Sequence, residues 1–125
     1  MKFLVTGAAG FIGSHLCEYL SKKNHDIVAI DNYSTGSIAN IQHIEKINLI
    51  NEKVQDVEVY ELGHIDGIFH LAAQASVPIS IDSFYSSTSN NLLSSIKVFD
   101  WAKRLSVPVI YASSSAIYGN LSRGN

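Results

Sequence analysis

The 125-residue chain is poor in cysteine, proline and charge: one Cys, two Pro, and 9 Lys+Arg against 11 Asp+Glu. The single Cys17 excludes a disulfide framework and a thiolate zinc site, since both need paired sulfurs. The five histidines show no metal-ligand spacing on one face, so each is expected at the surface or in a hydrogen bond, with no metal bound. No cationic cluster exceeds Lys22-Lys23 and the formal net charge is −2, so neither a nucleic acid nor an anionic membrane is an expected partner. No apolar run approaches the roughly 18 residues of a membrane span, and MKFLVTGAAG breaks into glycine too early for a secretory signal. These absences predict a cytoplasmic protein. The length supports one hydrophobic core and is too short for two.

What is present is a series of short, β-branched, nearly unbroken apolar runs: KFLVT (2–6), DIVAI (26–30), INLI (47–50), DGIFHLAA (66–73) and VPVIYAS (107–113). Unbroken rather than alternating runs suit strands buried on both faces of a parallel sheet. Helices are expected over 11–23, with Ile12, Leu16 and Leu20 inward, and over 90–105, with Leu92, Ile96, Phe99, Ala102 and Leu105 inward. Ser86, Ser87 and Ser89 read as a loop before the second of these. Ile38, Ile41 and Ile44 indicate one or two helical turns in the otherwise ambiguous stretch 34–64. The alternation predicts an α/β fold, a Rossmann-type doubly wound parallel sheet cut off after about five strands, forming one dinucleotide-binding domain over 1–125.

Strand KFLVT runs straight into Gly7-Ala8-Ala9-Gly10-Phe11-Ile12-Gly13 and then a helix, the context of a dinucleotide-binding turn. Gly7 permits the tight turn, Gly10 lets backbone N–H groups approach a pyrophosphate, and Gly13 lets the helix lie close to the sheet. Asp31 follows 18 residues after Gly13, at the end of the second strand, where a carboxylate can accept both hydroxyls of an adenine ribose. A 2′-phosphate about 4 Å from that carboxylate would meet roughly 1 kcal/mol of repulsion per unit charge in water and about 4 at an effective dielectric near 20. With no Arg in DNYSTGS to offset it, the expected cofactor is NAD rather than NADP. The bland reading is that Asp31 only caps the following turn.

With TGAAGFIG at 6–13, DNYSTG at 31–36, HLAAQ at 70–74 and SSSAIYG at 113–119, the chain resembles the N-terminal part of the extended short-chain dehydrogenase/reductase family. Within it, the chain is most similar to the nucleotide-sugar 4-epimerases. The resemblance implies that Gly7, Gly10 and Gly13 bind the NAD pyrophosphate with the N–H groups of Phe11 and Ile12. It implies that Asp31 and Asn32 bind the adenosine ribose, bordered by Ser34, Thr35 and Gly36. Leu71, Ala72, Ala73 and Gln74 would pass along the cofactor, and Asn91, with Asn90 as the alternative register, would support the active-site backbone. The family's adenine-binding acid after the third strand is absent. Its contact is either lost or passes to Asp56. Only 13 residues separate Asp56 from His70, short for the helix expected between them.

The resemblance further implies oxidation of a sugar C4 hydroxyl, rotation of the keto sugar and return of hydride to the other face, on a UDP-hexose or UDP-N-acetylhexosamine. Ser114 takes the place of the proton-handling serine, and Ser113, Ser115 and Ser76 are candidate substrate contacts. A Tyr-x-x-x-Lys pair completes the family's catalytic group, and within these residues that spacing occurs only at Tyr19 and Lys23, on the wrong helix. Tyr118 has Ser122, not lysine, four residues on. Relatives that dehydrate or decarboxylate carry an acid where this chain has Ala116, which favours epimerisation. The competing readings are a dehydratase or decarboxylase of the same family, an NADPH-dependent reductase on the same fold, and a non-catalytic NAD-binding module. A homodimer is expected of the full-length protein.

Overall fold

The computed structural model describes residues 1–119; Ser122 and the rest of 120–125 of the expected domain lie outside the described residues. Five strands, β1 (Lys2–Thr6), β2 (Asp26–Ile30), β3 (Ile47–Ile50), β4 (Gly67–His70) and β5 (Val109–Tyr111), form one parallel sheet in the order β3-β2-β1-β4-β5. The chain winds outward from β1 in one direction, then returns past it to β4. The carboxyl ends of β1 and β4 therefore flank the point where strand order reverses, where ligands bind in open α/β sheets.

The two-residue period of the strands divides the core. Leu4, Val28, Ile30 and Ile68 face one layer, together with Val98 and Trp101. Val5, Ile27 and Ala29 face the other, against Cys17 and Leu20 of α1 (Phe11–Lys22). Cys17 and Trp101 thus pack their helices on opposite faces of the sheet, and burial pushes the Cys17 thiol up to about 12. Among the described residues no helix is long and apolar enough to cross a membrane.

The helix faces differ from expectation. In α1 the buried side is Gly13, Ser14, Cys17 and Leu20, while Ile12 is exposed: the helix rests on its smallest residues because its start must approach the glycine turn. The second long helix, α3 (Phe84–Leu105), starts six residues before the expected 90, so Ser86, Ser87 and Ser89 are helical and not a loop. It follows a short helix α2 (Val77–Asp82), with Pro78 in its first turn, where the missing N–H costs nothing. α3 buries Ser87, Ser94, Val98 and Trp101, whereas Leu92, Ile96 and Phe99 are exposed. Small serines let α3 lie close to the sheet and turn the apolar stripe outward. Between β3 and β4 the chain makes two 3₁₀ turns, Val54–Asp56 and Val59–Glu61, instead of a helix. Val54, Val57 and Leu62 fill that part of the core. A further 3₁₀ turn, Ile38–Asn40, precedes the buried Ile41 and Ile44.

Gly13 is the tightest point of this packing. A Cβ there would fall on the Gly7 carbonyl oxygen and lie 2.8 Å from Ala8 Cα, both backbone atoms that cannot rotate away. Gly13→Ala is expected to destabilise the fold by at least about 2 kcal/mol. A urea melt followed by fluorescence of Trp101, the only tryptophan and fully buried, measures it. An unchanged midpoint would mean that α1 lifts off the turn without cost.

Candidate cofactor site

The turn after β1 is built around one residue, Ala9. Gly7 stands at φ +69°, and a Cβ there would meet Ala72 N at 2.7 Å, so only glycine lets the chain leave β1 beside the end of β4. Ala9, fully buried, donates its N–H to Asp31 Oδ2 at 2.9 Å. Its carbonyl accepts from Ser37 N–H at 3.2 Å and from Asn40 Nδ2 at 2.9 Å. Gly36 comes so close that a Cβ would lie 2.8 Å from the Ala9 carbonyl. The segment after β2 is thus strapped over the glycine turn.

Asp31 fixes the second edge of the site. Its Oδ1 accepts from Tyr33 N–H at 2.8 Å, closing a turn that holds Tyr33 at φ 54°, a left-handed conformation that costs a non-glycine residue of order 1 kcal/mol or more. The capping reading of Asp31 is therefore true. It does not exhaust the carboxylate, which offers about four lone-pair sites of which two are used. The Tyr33 hydroxyl is held above its ordinary pKa by burial and by the Asp31 charge.

At the start of α1, the N-cap Gly10 supplies no side-chain bond and the first turn carries no acid. Ser14 is the first residue to bond back along the helix, to the Gly10 carbonyl at 3.0 Å. The N–H groups of Phe11, Ile12 and Gly13 are left pointing out of the helix end, where the macrodipole is positive. They open on a hollow of about 260 Å³ floored by Gly7 and Gly10 and bounded by Leu71 and Ala112. A larger cavity of about 700 Å³ shares Gly7, Gly10 and Leu71 with it, so the two form one groove across the strand ends. Its size lies within the roughly 300–1,000 Å³ of small-molecule sites.

The larger cavity brings together Asp31, Asn32, Ser34 and Thr35 with Ala72, Ala73 and Gln74. Gly36 and Asn91 act from behind. Asn91 brackets Gln74: Gln74 N–H donates to Asn91 Oδ1 at 2.8 Å, and Asn91 Nδ2 donates to the Gln74 carbonyl at 3.0 Å. Its neighbour Asn90 instead accepts from Gln55 Nε2 at 3.2 Å, so of the two asparagines it is Asn91 that holds the Gln74 backbone. Asp56 is corrected. It is exposed and does not line the cavity, because the 3₁₀ turn buries Val54 and presents Lys53 and Gln55 in its place. Ser76 lines neither hollow and starts α2, with its carbonyl accepting from Gln74 Nε2 at 3.0 Å. Ser113, Ser114 and Ser115 are exposed just beyond Ala112, with Ser115 opening a 3₁₀ turn (Ser115–Tyr118). Tyr19 and Lys23 sit near the far end of α1, Lys23 Nζ lying 5.6 Å from the Tyr19 ring centre, about 12 Å along the helix from its start.

No sequence pattern points to Asn40, Lys53 or Gln55, nor to the wall formed by Ser83 and Ser87, and Asn90 joins that wall rather than the place the alternative register gave it. These residues reach the site only through the turns after β2 and β3 and the early start of α3. Among the described residues no group of three His, Cys, Asp or Glu side chains could hold a metal.

The floor of the groove is held by a buried relay. Ala72 N–H donates to Thr6 Oγ1 at 3.2 Å, Thr6 Oγ1 lies 2.7 Å from His70 Nδ1, and His70 Nε2 lies 3.1 Å from Ser95 Oγ. The Ser95 hydroxyl donates to the Asn91 carbonyl at 2.8 Å. Since Ser95 spends its one proton there, His70 Nε2–H donates to Ser95, and in the neutral ring that burial favours Nδ1 accepts from Thr6.

The family model described as "NAD dependent epimerase/dehydratase family" matches residues 3–125. UDP-glucuronic acid decarboxylase 1 of Danio rerio is 34% identical over 122 residues, 95% of this chain and 28% of that protein. Among solved structures, UDP-N-acetylglucosamine 4-epimerase from Methanobrevibacter ruminantium, in complex with UDP-N-acetylmuramic acid, superposes with a TM-score of 0.87 at 38% identity, covering 94% of this chain and 39% of that one. UDP-glucose 4-epimerase from Bifidobacterium longum, in complex with NAD+ and UDP, gives 0.86 at 29% identity over 95% and 38%. The chain thus spans well under half the length of each of these relatives.

Burial holds His70 below the usual histidine pKa. The unfolded chain takes up the proton first, so its contribution to stability is full above about pH 6.5 and is lost as pH falls below that value, until folded His70 titrates too. Glu18, lowered by its bond to Lys22, and Asp66, lowered by the Lys2 N–H, act only below about 4.5 and do not overlap. The unfolding free energy is therefore expected to drop between pH 7.5 and 5.5, and in His70→Asn the drop should shrink although the variant is less stable throughout. An equal drop in both proteins would remove His70 as its source.

Proposed function

The chain belongs to the NAD dependent epimerase/dehydratase family, and we propose that it is the NAD-binding part of a nucleotide-sugar 4-epimerase acting on a UDP-hexose or UDP-N-acetylhexosamine. The observation that carries the cofactor reading is the uncapped start of α1, three open N–H donors facing a groove whose other edge is the Asp31 carboxylate. A pyrophosphate satisfies the first and a ribose diol the second. Phe11, Ile12 and Gly13 would hold the pyrophosphate through their N–H groups. Asp31, with two lone-pair sites in reserve, would accept the adenosine ribose hydroxyls, with Asn32, Ser34 and Thr35 beside it. The Leu71–Gln74 segment, fixed by Asn91 and by the Thr6–His70–Ser95 relay, would line the path of the dinucleotide. When bound, NAD would take up and return the sugar hydride. Ser114 would hold the reacting hydroxyl, with Ser113 and Ser115 beside the substrate.

Epimerisation is favoured over elimination by Ser115-Ala116, which offers no acid. The decarboxylase relative at 34% identity supports the second reading, a nucleotide-sugar decarboxylase or dehydratase. We further propose that 1–125 is one dinucleotide-binding domain, that the protein is cytoplasmic, and that the full-length form is a homodimer. The dimer is supported by the apolar side chains of Leu92, Leu93, Ile96 and Phe99 left exposed along α3.

Incubating the full-length protein, which must supply the catalytic Tyr-x-x-x-Lys pair that these 125 residues lack, with UDP-glucose, UDP-N-acetylglucosamine and UDP-glucuronic acid and following each by NMR tests the choice. Appearance of the C4 epimer is expected, and release of carbon dioxide with a UDP-pentose would transfer the assignment to the decarboxylases.

Cofactor choice is tested separately. NAD is expected to bind at least about tenfold more tightly than NADP, the repulsion of roughly 1–4 kcal/mol between Asp31 and a 2′-phosphate setting the scale. Asp31→Asn should weaken NAD and narrow the gap. NADP binding as well as NAD would overturn the assigned role of Asp31.

A further inference from the structure

The groove extends beyond Asp31 to a wall made by the turn after β3 and the first turns of α3. Two features of this wall have no role in the fold. Gln55 and Asn90, 35 residues apart, are joined by Gln55 Nε2–H to Asn90 Oδ1 at 3.2 Å, and both line the cavity. One turn earlier on α3, Ser87 is only 6% exposed, lines the same cavity, and its Oγ has no hydrogen-bond partner; Gln74 Oε1, also at the cavity, is the other such buried atom among the described residues. Buried polar atoms without partners are rare in folded proteins, and here both border one cavity.

We propose that Asn90, oriented by Gln55 and assisted by Ser87, reads the purine of the bound dinucleotide at its 6-amino group, in place of Asp56, which does not line the cavity. The inference rests on the NAD reading of the groove. If the pyrophosphate lies at the start of α1 and the ribose at Asp31, the base falls in the remaining space against this wall. Gln55 Nε2–H fills one lone pair of Asn90 Oδ1 and holds the amide plane in place, leaving the second lone pair toward the cavity. Asn90 then presents a carbonyl lone pair and an N–H side by side. That pair matches adenine, whose N6–H donates and whose N7 accepts, in a bidentate contact. A 6-oxo purine offers two acceptors along the same edge and meets the Asn90 carbonyl oxygen to oxygen. The Ser87 hydroxyl, unused inside the protein, supplies a further hydrogen bond to the base.

Calorimetric titration with NAD and with nicotinamide hypoxanthine dinucleotide, which differ only at position 6 of the purine, tests this on the wild type and on Asn90→Leu. The wild type is expected to bind the hypoxanthine analogue at least about tenfold more weakly, and Asn90→Leu to bring the two within about threefold. Gln55→Leu, which frees the Asn90 amide to turn, should narrow the gap likewise and serves if Asn90→Leu does not fold. Ser87→Ala should weaken NAD severalfold while leaving the urea midpoint unchanged or raised, because it deletes a buried hydroxyl that has no partner. Equal affinity of the wild type for both dinucleotides, or a gap that survives in the Asn90 and Gln55 variants, overturns the inference alone. Failure of both dinucleotides to bind overturns the cofactor reading and the inference with it.

Discussion

The site depends on the backbone of Ala9. Its N–H is held by the Asp31 carboxylate and its carbonyl by Ser37 and Asn40, so the turn after β1 is tied to the end of β2 and to the segment that follows. A hydrogen bond to a charged acceptor contributes about 1.5–3 kcal/mol, and losing it would leave a buried N–H unsatisfied. That tie positions the start of α1, because Gly10 and Gly13 follow from where Ala9 is held, and Gly13 can only sit against the Gly7 carbonyl without a side chain. The same carboxylate that builds the turn faces the groove. Structure and recognition are thus joined in one side chain: a substitution at Asp31 that spares the fold must still supply acceptors to both Ala9 and Tyr33.

The other half of the groove is held by an equivalent device with no charge. Thr6, His70, Ser95 and Asn91 carry hydrogen bonds from β1 through β4 to α3, and end on the two backbone groups of Gln74. Burial favours neutral His70, in which Nε2–H donates and Nδ1 accepts, so the relay orders the 71–74 segment without placing a fixed charge beside the groove.

Much of this was legible in the sequence. The strands KFLVT, DIVAI and INLI have the bounds read from their apolar runs, since strands buried on both faces leave little ambiguity. The glycine turn and Asp31 were legible because their chemistry demands particular residues at particular spacings. The inward faces of the helices were not. Leu92, Ile96 and Phe99 form a clean helical stripe, but periodicity locates a stripe without saying what lies opposite. The serines of α3 have weak helical preference, so nothing in 84–89 announces a helix in the sequence. The adenine side was misread at Asp56 because a 3₁₀ turn changes which of three consecutive residues faces inward, and such a turn has no sequence period to detect.

The serines of α3 also explain why one helix can serve four purposes. Ser87, Asn91, Ser94, Val98 and Trp101 recur at alternating intervals of four and three, so they form a single inward row. From the start of the helix to its end, that row gives the cavity a hydroxyl, clamps the 74 peptide, allows close approach to the sheet, and then fills the core. A slip of one residue would bring Leu92 and Phe99 inward, block the cavity and break the clamp at once. The large side chains at the end of the row hold the small polar ones at its start in place. Burial of Val98 and Trp101 therefore acts on the binding groove as much as on the core, although neither residue touches it.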